Sequence, residues 1–368
     1  MEKKDTYLFL TSVYRINMKH IEIIKSKYED INTFLDLPDK EILKNKNLNS
    51  NFLKNIVKYK SHSRMDKIKR ILSREKIGYV CIEEDKYPQK LKHIPDPPPV
   101  LFYKGDISLL NDEKMLNLAV VGSRTPSIYG IESTKKMVRE LSQEGINIIS
   151  GLAFGIDSIA HLSCMEGCGK TVAVLGSPVD NIRPLENKYI ADEILKNGGA
   201  IISDFFIRSK VYAGNYASRN RIISGVSDGV LIMEAAEKSG ALITCDLALD
   251  QGKNVFAVPG NINSNMIRGC NRIIRQGAIL VEKIEDILEE YNFSPLNNSK
   301  DSIEYDIKGL NLEQIKILDL IKKQGSINID DICKYTDVSI KSVNSNINEL
   351  LINDYIMEME NKTYGFKI

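Results

Sequence analysis

The chain has 368 residues, of which 43% are hydrophobic and 27% charged, with 50 Lys and Arg against 49 Asp and Glu. That length accommodates two or three domains with sizeable cores, and the composition excludes a disordered chain, a membrane-spanning bundle and a polycation. The near-neutral total hides an asymmetry, because residues 1–75 carry 17 Lys and Arg against 10 Asp and Glu while residues 281–368 carry 10 against 17, so a polyanion is expected to avoid the C-terminal end. The six cysteines (Cys81, Cys164, Cys168, Cys245, Cys270 and Cys333) are scattered and include no C-x-x-C pair, as reduced thiols would be. His161, Cys164 and Cys168 lack the second cluster that would complete a metal's coordination shell. No apolar run reaches membrane-spanning length and the N-terminus MEKKDTYLFL does not read as a signal peptide, so a cytoplasmic location is expected.

Residues 1–75 place apolar residues at helical spacing, as in IEIIKSKYEDINTFLDL and NFLKNIVKYKSHSRMDKIKRIL, and predict a small helical domain of the SAM or helix-hairpin kind. Its Lys54, Lys58, Lys60, Arg64, Lys67, Lys69 and Arg70 form either an accessory nucleic-acid face or a solvated helix surface. From Gly78 to Tyr103, YVCIEE is strand-like, and the proline-crowded KYPQKLKHIPDPPPVLFYKGD excludes regular helix; its last piece, PVLFYKG, is expected as an edge strand. From Leu116 to about Leu288, continuous apolar runs (LAVV, INIIS, TVAVL, AIIS, GVLIME, NVFAVP, GAIL) alternate with helical stretches. Strands buried on both faces and separated by helices predict an α/β, Rossmann-like, doubly wound and mostly parallel sheet over 76–291. Residues 292–309 are polar and aperiodic and read as a linker. Residues 310–368 show three short helical segments followed by a hairpin, the pattern of a winged helix, yet the third helix offers Lys341 as its one basic residue, which favours packing or protein contact over duplex binding.

The loops at the expected carboxyl ends of the strands carry the chemistry. LNLAVVGSRTPSIYG (Leu116 to Gly130) reads as strand, glycine turn and helix start, with Gly122 allowing close approach of a ligand, Ser123 or Thr125 capping the helix, the helix N-terminus attracting an anion and Arg124 adding fixed charge. Gly151 and Gly155 flank a second helix start, with Asp157 as its cap and His161 one turn on. His161 reads either as a base paired with Asp157 or Asp180 or as a structural histidine held by a carboxylate. Arg219, Asn220 and Arg221 supply a guanidinium fork suited to phosphate, and Lys238, Ser239 and Gly240 open a third helix. The sum is a basic, amide-rich crevice without a Walker motif, a G-x-G-x-x-G, a nucleophile elbow or an H-E-x-x-H, so binding rather than turnover is expected, with no cofactor and no catalytic residue.

Taken in order, GSR-T-x-S-x-x-G (Gly122 to Gly130), SGLAFGID-x-x-AH (Ser150 to His161), TVAVLG-x-x-x-D (Thr171 to Asp180), RNRIISG (Arg219 to Gly225), EA-x-x-KSGALIT (Glu234 to Thr244) and VFAVPG with GCN-x-I-x-x-x-GA (Val255 to Ala278) closely resemble the DNA-processing protein A family, DprA/Smf. The YP-x-x-L at Tyr87 and PVLFYKG at Pro99 are similar to that family as well, and the terminal regions resemble its appendages more weakly. The resemblance implies a cytoplasmic protein that binds and protects single-stranded DNA on a Rossmann-like core, dimerises through that core and helps load the RecA recombinase in natural transformation. It carries the DNA-binding pocket onto Arg124, Arg219, Arg221 and Lys238. The sequence departs from the family pattern at Ser177-Pro178 and Arg183, at Asp204-Phe205-Phe206 and at Tyr216-Ala217; Arg183 would add positive charge, and Tyr216, Phe205 and Phe206 are candidates for stacking on bases or for the core. The alternatives are a LOG-type nucleotide phosphoribohydrolase, whose P-G-G-x-G-T-x-x-E hallmark is broken at Pro259-Gly260-Asn261, and a DNA-sensing or defence scaffold.

Overall fold

A computed structural model describes residues 2–28, 30–293, 310–324, 326–336, 339–353, 355–359 and 363–366. The expected linker at 292–309 therefore lies, from residue 294 onward, outside the described residues. The chain divides into two compact units, Met1–Asn297 and Asn298–Ile368.

The first unit opens with six helices, α1 (Lys3–Val13), α2 (Met18–Lys27), α3 (Ile31–Asp36), α4 (Asp39–Leu43), α5 (Ser50–Tyr59) and α6 (His62–Arg74). The polar residues between the apolar stretches act as caps: the side chains of Asn17, Asp30, Asn49 and Ser61 each accept from backbone N–H groups at the start of the next helix. Helix α1 is nearly enclosed, with Tyr7, Leu8, Phe9 and Leu10 at most 2% exposed. Its one buried acid, Asp5, accepts from Lys69 Nζ (2.6 Å) and from the Tyr79 hydroxyl (2.9 Å), which ties α6 and the first strand to it. These helices share one core with Cys81, Val100, Phe102, Ala173 and Ile201 of the sheet.

The sheet contains β1 (Gly78–Cys81), β2 (Val100–Gly105), β3 (Asn117–Val121), β4 (Asn147–Ser150), β5 (Thr171–Val174), β6 (Ala200–Ser203), β7 (Gly229–Ile232), β8 (Asn254–Ala257) and β9 (Ile279–Leu280), in the order β1-β2-β6-β5-β4-β3-β7-β8-β9. Strands β6 to β9 in that order are mutually parallel, and β2 and β1 add on antiparallel. The expectation that PVLFYKG would be an edge strand is corrected: β2 pairs on both sides, and β1 takes the edge. Proline forbids a ladder donor only where it stands, and Pro99 stops one residue short of the strand. The crossing helices are α7 (Ile128–Gln143), α8 (Ile156–Cys164), α9 (Lys188–Lys196), α10 (Gly214–Val226), α11 (Ala241–Asp250), α12 (Arg268–Arg275) and α13 (Glu285–Glu290). Strand β3 leads to β4 on one side and β7 leads to β8 on the other, so the order reverses between β3 and β7, where a crevice opens beyond the carboxyl ends of the strands. Among the described residues no helix is long and apolar enough to cross a membrane.

The second unit contains α14 (Leu312–Gln324), β10 (Ser326–Asn328), α15 (Ile329–Thr336), α16 (Ile340–Ile352), β11 (Ile356–Met359) and β12 (Thr363–Phe366), with strand order β10-β12-β11. Ile317, Ile321, Ile332, Val343, Ile347, Leu350 and Ile356 form its core. Strand β10 has no counterpart among the expected elements, since three residues are too few to show alternation; Asn328 then starts α15 by accepting from Asp331 N.

Candidate functional site

The crevice at the β3/β7 switch has a volume of about 600 Å³ and is lined by the loop after β3 (Gly122 to Thr125), the first two turns of α10 (Tyr216, Arg219 and Asn220 among them) and the start of α11 (Lys238 to Thr244). Of the eleven residues expected to bind phosphate, it brings together Gly122, Ser123, Arg124, Arg219, Asn220, Lys238, Ser239 and Gly240. Gly151, Gly155 and Arg221 are not part of the lining.

The reason for the glycines differs from the expected one. A Cβ on Gly122 would stand 2.7 Å from Ile156 Cγ1 and 2.9 Å from the Glu234 carbonyl, one on Gly151 would stand 2.4 Å from the Arg219 guanidinium, and one on Gly155, at φ +76°, would stand 2.3 Å from the Ser123 carbonyl. At these three positions the close approach is to groups of the chain itself, the Ile156 side chain and a loop backbone at Gly122, a loop backbone at Gly155 and the Arg219 side chain at Gly151. Gly240 differs, because a Cβ there meets nothing within 4 Å and its open side faces the crevice.

The helix starts are also corrected. Ser127, rather than Ser123 or Thr125, caps α7 by accepting from Gly130 N at 3.1 Å, while Ser123 Oγ accepts from Thr125 N at 3.2 Å inside the turn. The carboxylate of Glu234, 1% exposed, accepts from Ser127 N at 3.0 Å and from the Ser127 hydroxyl. The α7 N-terminus thus already holds an anion from its own chain. Asp157 does not cap α8; its buried carboxylate turns back to accept from Gly151 N (3.1 Å) and Ala153 N (3.4 Å). Burial raises the Asp157 pKa, opposed by the Arg219 charge and those two N–H groups. The α11 start borders the crevice, and its first N–H groups are engaged within the chain: Ala241 N donates to Ser239 Oγ at 3.3 Å, Leu242 N to the Ser239 carbonyl at 3.1 Å and Ile243 N to the Gly240 carbonyl at 3.2 Å.

Arg219 and Arg221 do not form a fork. Residues two apart on a helix point to different sides. Arg219, 3% exposed, lies at the floor of the crevice and donates through Nη1 to the carbonyls of Gly151 (2.6 Å) and Val174, and through Nε to Asn220 Oδ1 (3.1 Å). Burial pulls its pKa down to about 10, with the Asp157 carboxylate opposing that and the Arg124 charge adding to it, and it stays cationic at neutral pH. Arg221 faces away, donating to the Asp96 carbonyl (2.9 Å) and to Asp204 Oδ2 (3.0 Å). Arg183 donates to Asn181 Oδ1 and is outside the lining. Two exposed cations remain at the rim, Arg124 and Lys238, and neither has an ion pair among the described residues. The Arg124 guanidinium stands 5.8 Å from the centroid of the Tyr216 ring, a pairing that presents both a charge and an aromatic face. Of the three aromatic candidates only Tyr216 lines the crevice; Phe205 is buried and Phe206 packs edge-on against Phe102. Met266 also lines the crevice and is not among the expected residues, because a lone methionine in a polar loop carries no signal.

His161 is held by a threonine and not by a carboxylate. Its Nδ1 lies 2.6 Å from Thr171 Oγ1, and that hydroxyl donates its single proton to the Ile148 carbonyl at 2.8 Å, so Nδ1–H is the donor and Nε2 carries the bare lone pair. Asp180 instead accepts from Arg208 N. Burial, reinforced by the Arg219 charge, lowers the His161 pKa from the usual 6.5 to about 3. Its folded pKa is the lower one, so the unfolded chain takes up the proton first, and stability present above pH 6.5 is lost progressively as pH falls toward 3. Between pH 7 and 5 this loss is about 2 kcal/mol, and denaturant melts at the two pH values are expected to show it shrink by that amount in His161→Leu; an unchanged acid loss in the variant would contradict the neutral assignment. No group of three or more potential metal ligands occurs among the described residues.

A family model described as DNA recombination-mediator protein A matches residues 78–292, which is the sheet from β1 to β9 with every loop of the crevice. The chain belongs to that family. Among its relatives, DNA processing protein DprA of Streptococcus pneumoniae is 41% identical over 219 residues, covering 60% of this chain and 76% of that protein. Protein Smf of Borreliella burgdorferi is 32% identical over 316 residues, covering 84% and 98%. The crystal structure of DNA processing protein A from Streptococcus pneumoniae superposes with a TM-score of 0.65 at 32% identity over 77% of this chain and 95% of that one. A solved structure of the Helicobacter pylori family member, reported for its single-stranded DNA binding mode, gives 0.52 at 30% identity over 58% and 95%.

Proposed function

We propose that this family member binds single-stranded DNA in the β3/β7 crevice. The observation that carries the reading is the pair of exposed cations, Arg124 and Lys238, that line one crevice with the Tyr216 ring and have no ion pair among the described residues. Phosphates meet the two cations, Asn220 offers its amide, and a base meets Tyr216. Arg219 acts beneath them as the buried charge that holds the floor in shape. The Helicobacter pylori relative, with its single-stranded DNA binding mode, supports the same class of ligand.

The finer reading follows the family: a DNA-processing role in recombination and natural transformation, in which the protein protects the strand, helps load RecA and works in the cytoplasm as a homodimer built on the Rossmann-like core. We read the domains as helical (1–75), Rossmann-like (76–291), linker (292–309) and winged helix (310–368). The acidic last domain, where Lys341 is the one basic residue of α16, is better suited to a protein partner than to a duplex. Binding of single- and double-stranded oligonucleotides of equal length to the full chain tests the core of this. Single strands are expected to bind roughly tenfold or more tighter, since only they free a base to reach Tyr216; equal affinity would overturn the reading.

A further inference from the structure

A second cavity, of about 680 Å³, lies in the same unit between the N-terminal helices and the sheet. It falls in the range of about 300–1,000 Å³ typical of ligand sites, and the family match at 78–292 does not include the α1–α2 turn that forms one wall. Residues of α10 line both cavities: Asn215 and Arg221 the second, Tyr216, Ala217, Arg219 and Asn220 the first. Tyr212 lines the second and Ala213, the next residue, lines the first. Arg15 reaches across from the α1–α2 turn to donate to Ser218 Oγ at 3.1 Å, and Ala217 beside it lines the first crevice.

The lining is suited to bases. The Arg15 side chain is 56% exposed and its guanidinium stands 4.6 Å over the ring of Phe205, so a flat cationic surface is held in place on an aromatic support. The Tyr212 ring, 64% exposed, stands at the edge nearer the first crevice, and Lys210 adds an exposed charge. The two acids of the cavity are already engaged: Asp204 Oδ2 lies 3.0 Å from Arg221 and 3.7 Å from Arg15, and Asp96 Oδ2 lies 3.3 Å from Arg221. With Arg15, Lys210 and Arg221 against Asp96 and Asp204, the lining keeps a positive balance.

We propose that this second cavity is a base-stacking subsite that continues the single-strand path from the crevice over the N-terminal turn of α10 and onto the N-terminal helices. The proposal rests on the reading of the first crevice as a single-strand site. A strand anchored at Arg124 and Lys238 that crosses the Tyr212–Ala213 edge meets Tyr212 and then the Arg15 face in turn.

Affinity of the full chain for oligothymidylates of increasing length separates the two sites. Wild type is expected to bind a short oligomer and to gain affinity once the strand is long enough to cross α10, with roughly tenfold of that gain lost in Tyr212→Ala and in Arg15→Ala while short-oligomer binding stays unchanged. Tyr212 is mostly exposed, so its variant keeps the test free of any folding defect caused by removing Arg15. Wild type that fails to bind the short oligomer would overturn the crevice reading. Short-oligomer binding with no length-dependent gain, or a gain that survives in both variants, would overturn the second subsite alone.

Discussion

Arg219→Ala is expected to destabilise the unit Met1–Asn297 by about 3–5 kcal/mol in the absence of any ligand, the cost of stripping one partner from a buried charge network. The guanidinium bridges the carbonyls of Gly151, which follows β4, and Val174, which ends β5, and it is the nearest cation opposing the raised pKa of buried Asp157. Removal leaves two carbonyls and a carboxylate buried beside a cavity the size of an arginine side chain. Thermal melts are expected to drop by roughly 5–15 °C. Arg219→Lys keeps the charge but cannot make the same set of planar contacts, so it is expected to recover only part of the loss. A variant that melts like wild type would show that Arg219 is a ligand contact held in reserve rather than a structural clamp.

The opposite behaviour is expected at the rim. Arg124→Ala and Lys238→Ala should each weaken binding of a single-stranded oligonucleotide by about 1.5–3 kcal/mol, on the order of 10- to 100-fold, as removal of a charge-assisted phosphate hydrogen bond does. Neither side chain has an ion pair among the described residues, and both are exposed, so thermal midpoints without DNA should remain within about 1 °C of wild type. Equal destabilisation of the rim and floor variants, or equal loss of affinity without destabilisation, would remove the division between them.

The fold was legible because its signal is local. Continuous apolar runs alternating with amphipathic stretches give a parallel sheet with helices on both faces, and Gly122, Lys238 and Gly240 fall at strand ends where a ligand is expected. What the sequence conceals is which group approaches a glycine. Gly151 and Gly155 look like phosphate-loop glycines, but they admit Arg219 and the Ser123 carbonyl, partners that lie far along the chain or in another loop. The anion at the α7 start is likewise supplied by Glu234, 107 residues away from Ser127, so no local pattern could reveal that the helix end is filled. Arg221 is a different case. The two-residue spacing from Arg219 already places it on another side of α10, and applying the helical period to RNRIISG removes it from the crevice without a structure.

The salt dependence of single-strand binding is the most direct test of the crevice as a polyanion site with Arg124 and Lys238 as its clamps. For wild type, Arg124→Ala and Lys238→Ala, log Kobs is measured against log salt concentration with a short oligothymidylate. Each variant is expected to reduce the slope by about 0.7, the value for one fewer phosphate neutralised on a single strand, while the melting temperature of the free protein stays constant. Slopes identical to wild type in both variants would contradict the assignment of Arg124 and Lys238 as the phosphate clamps.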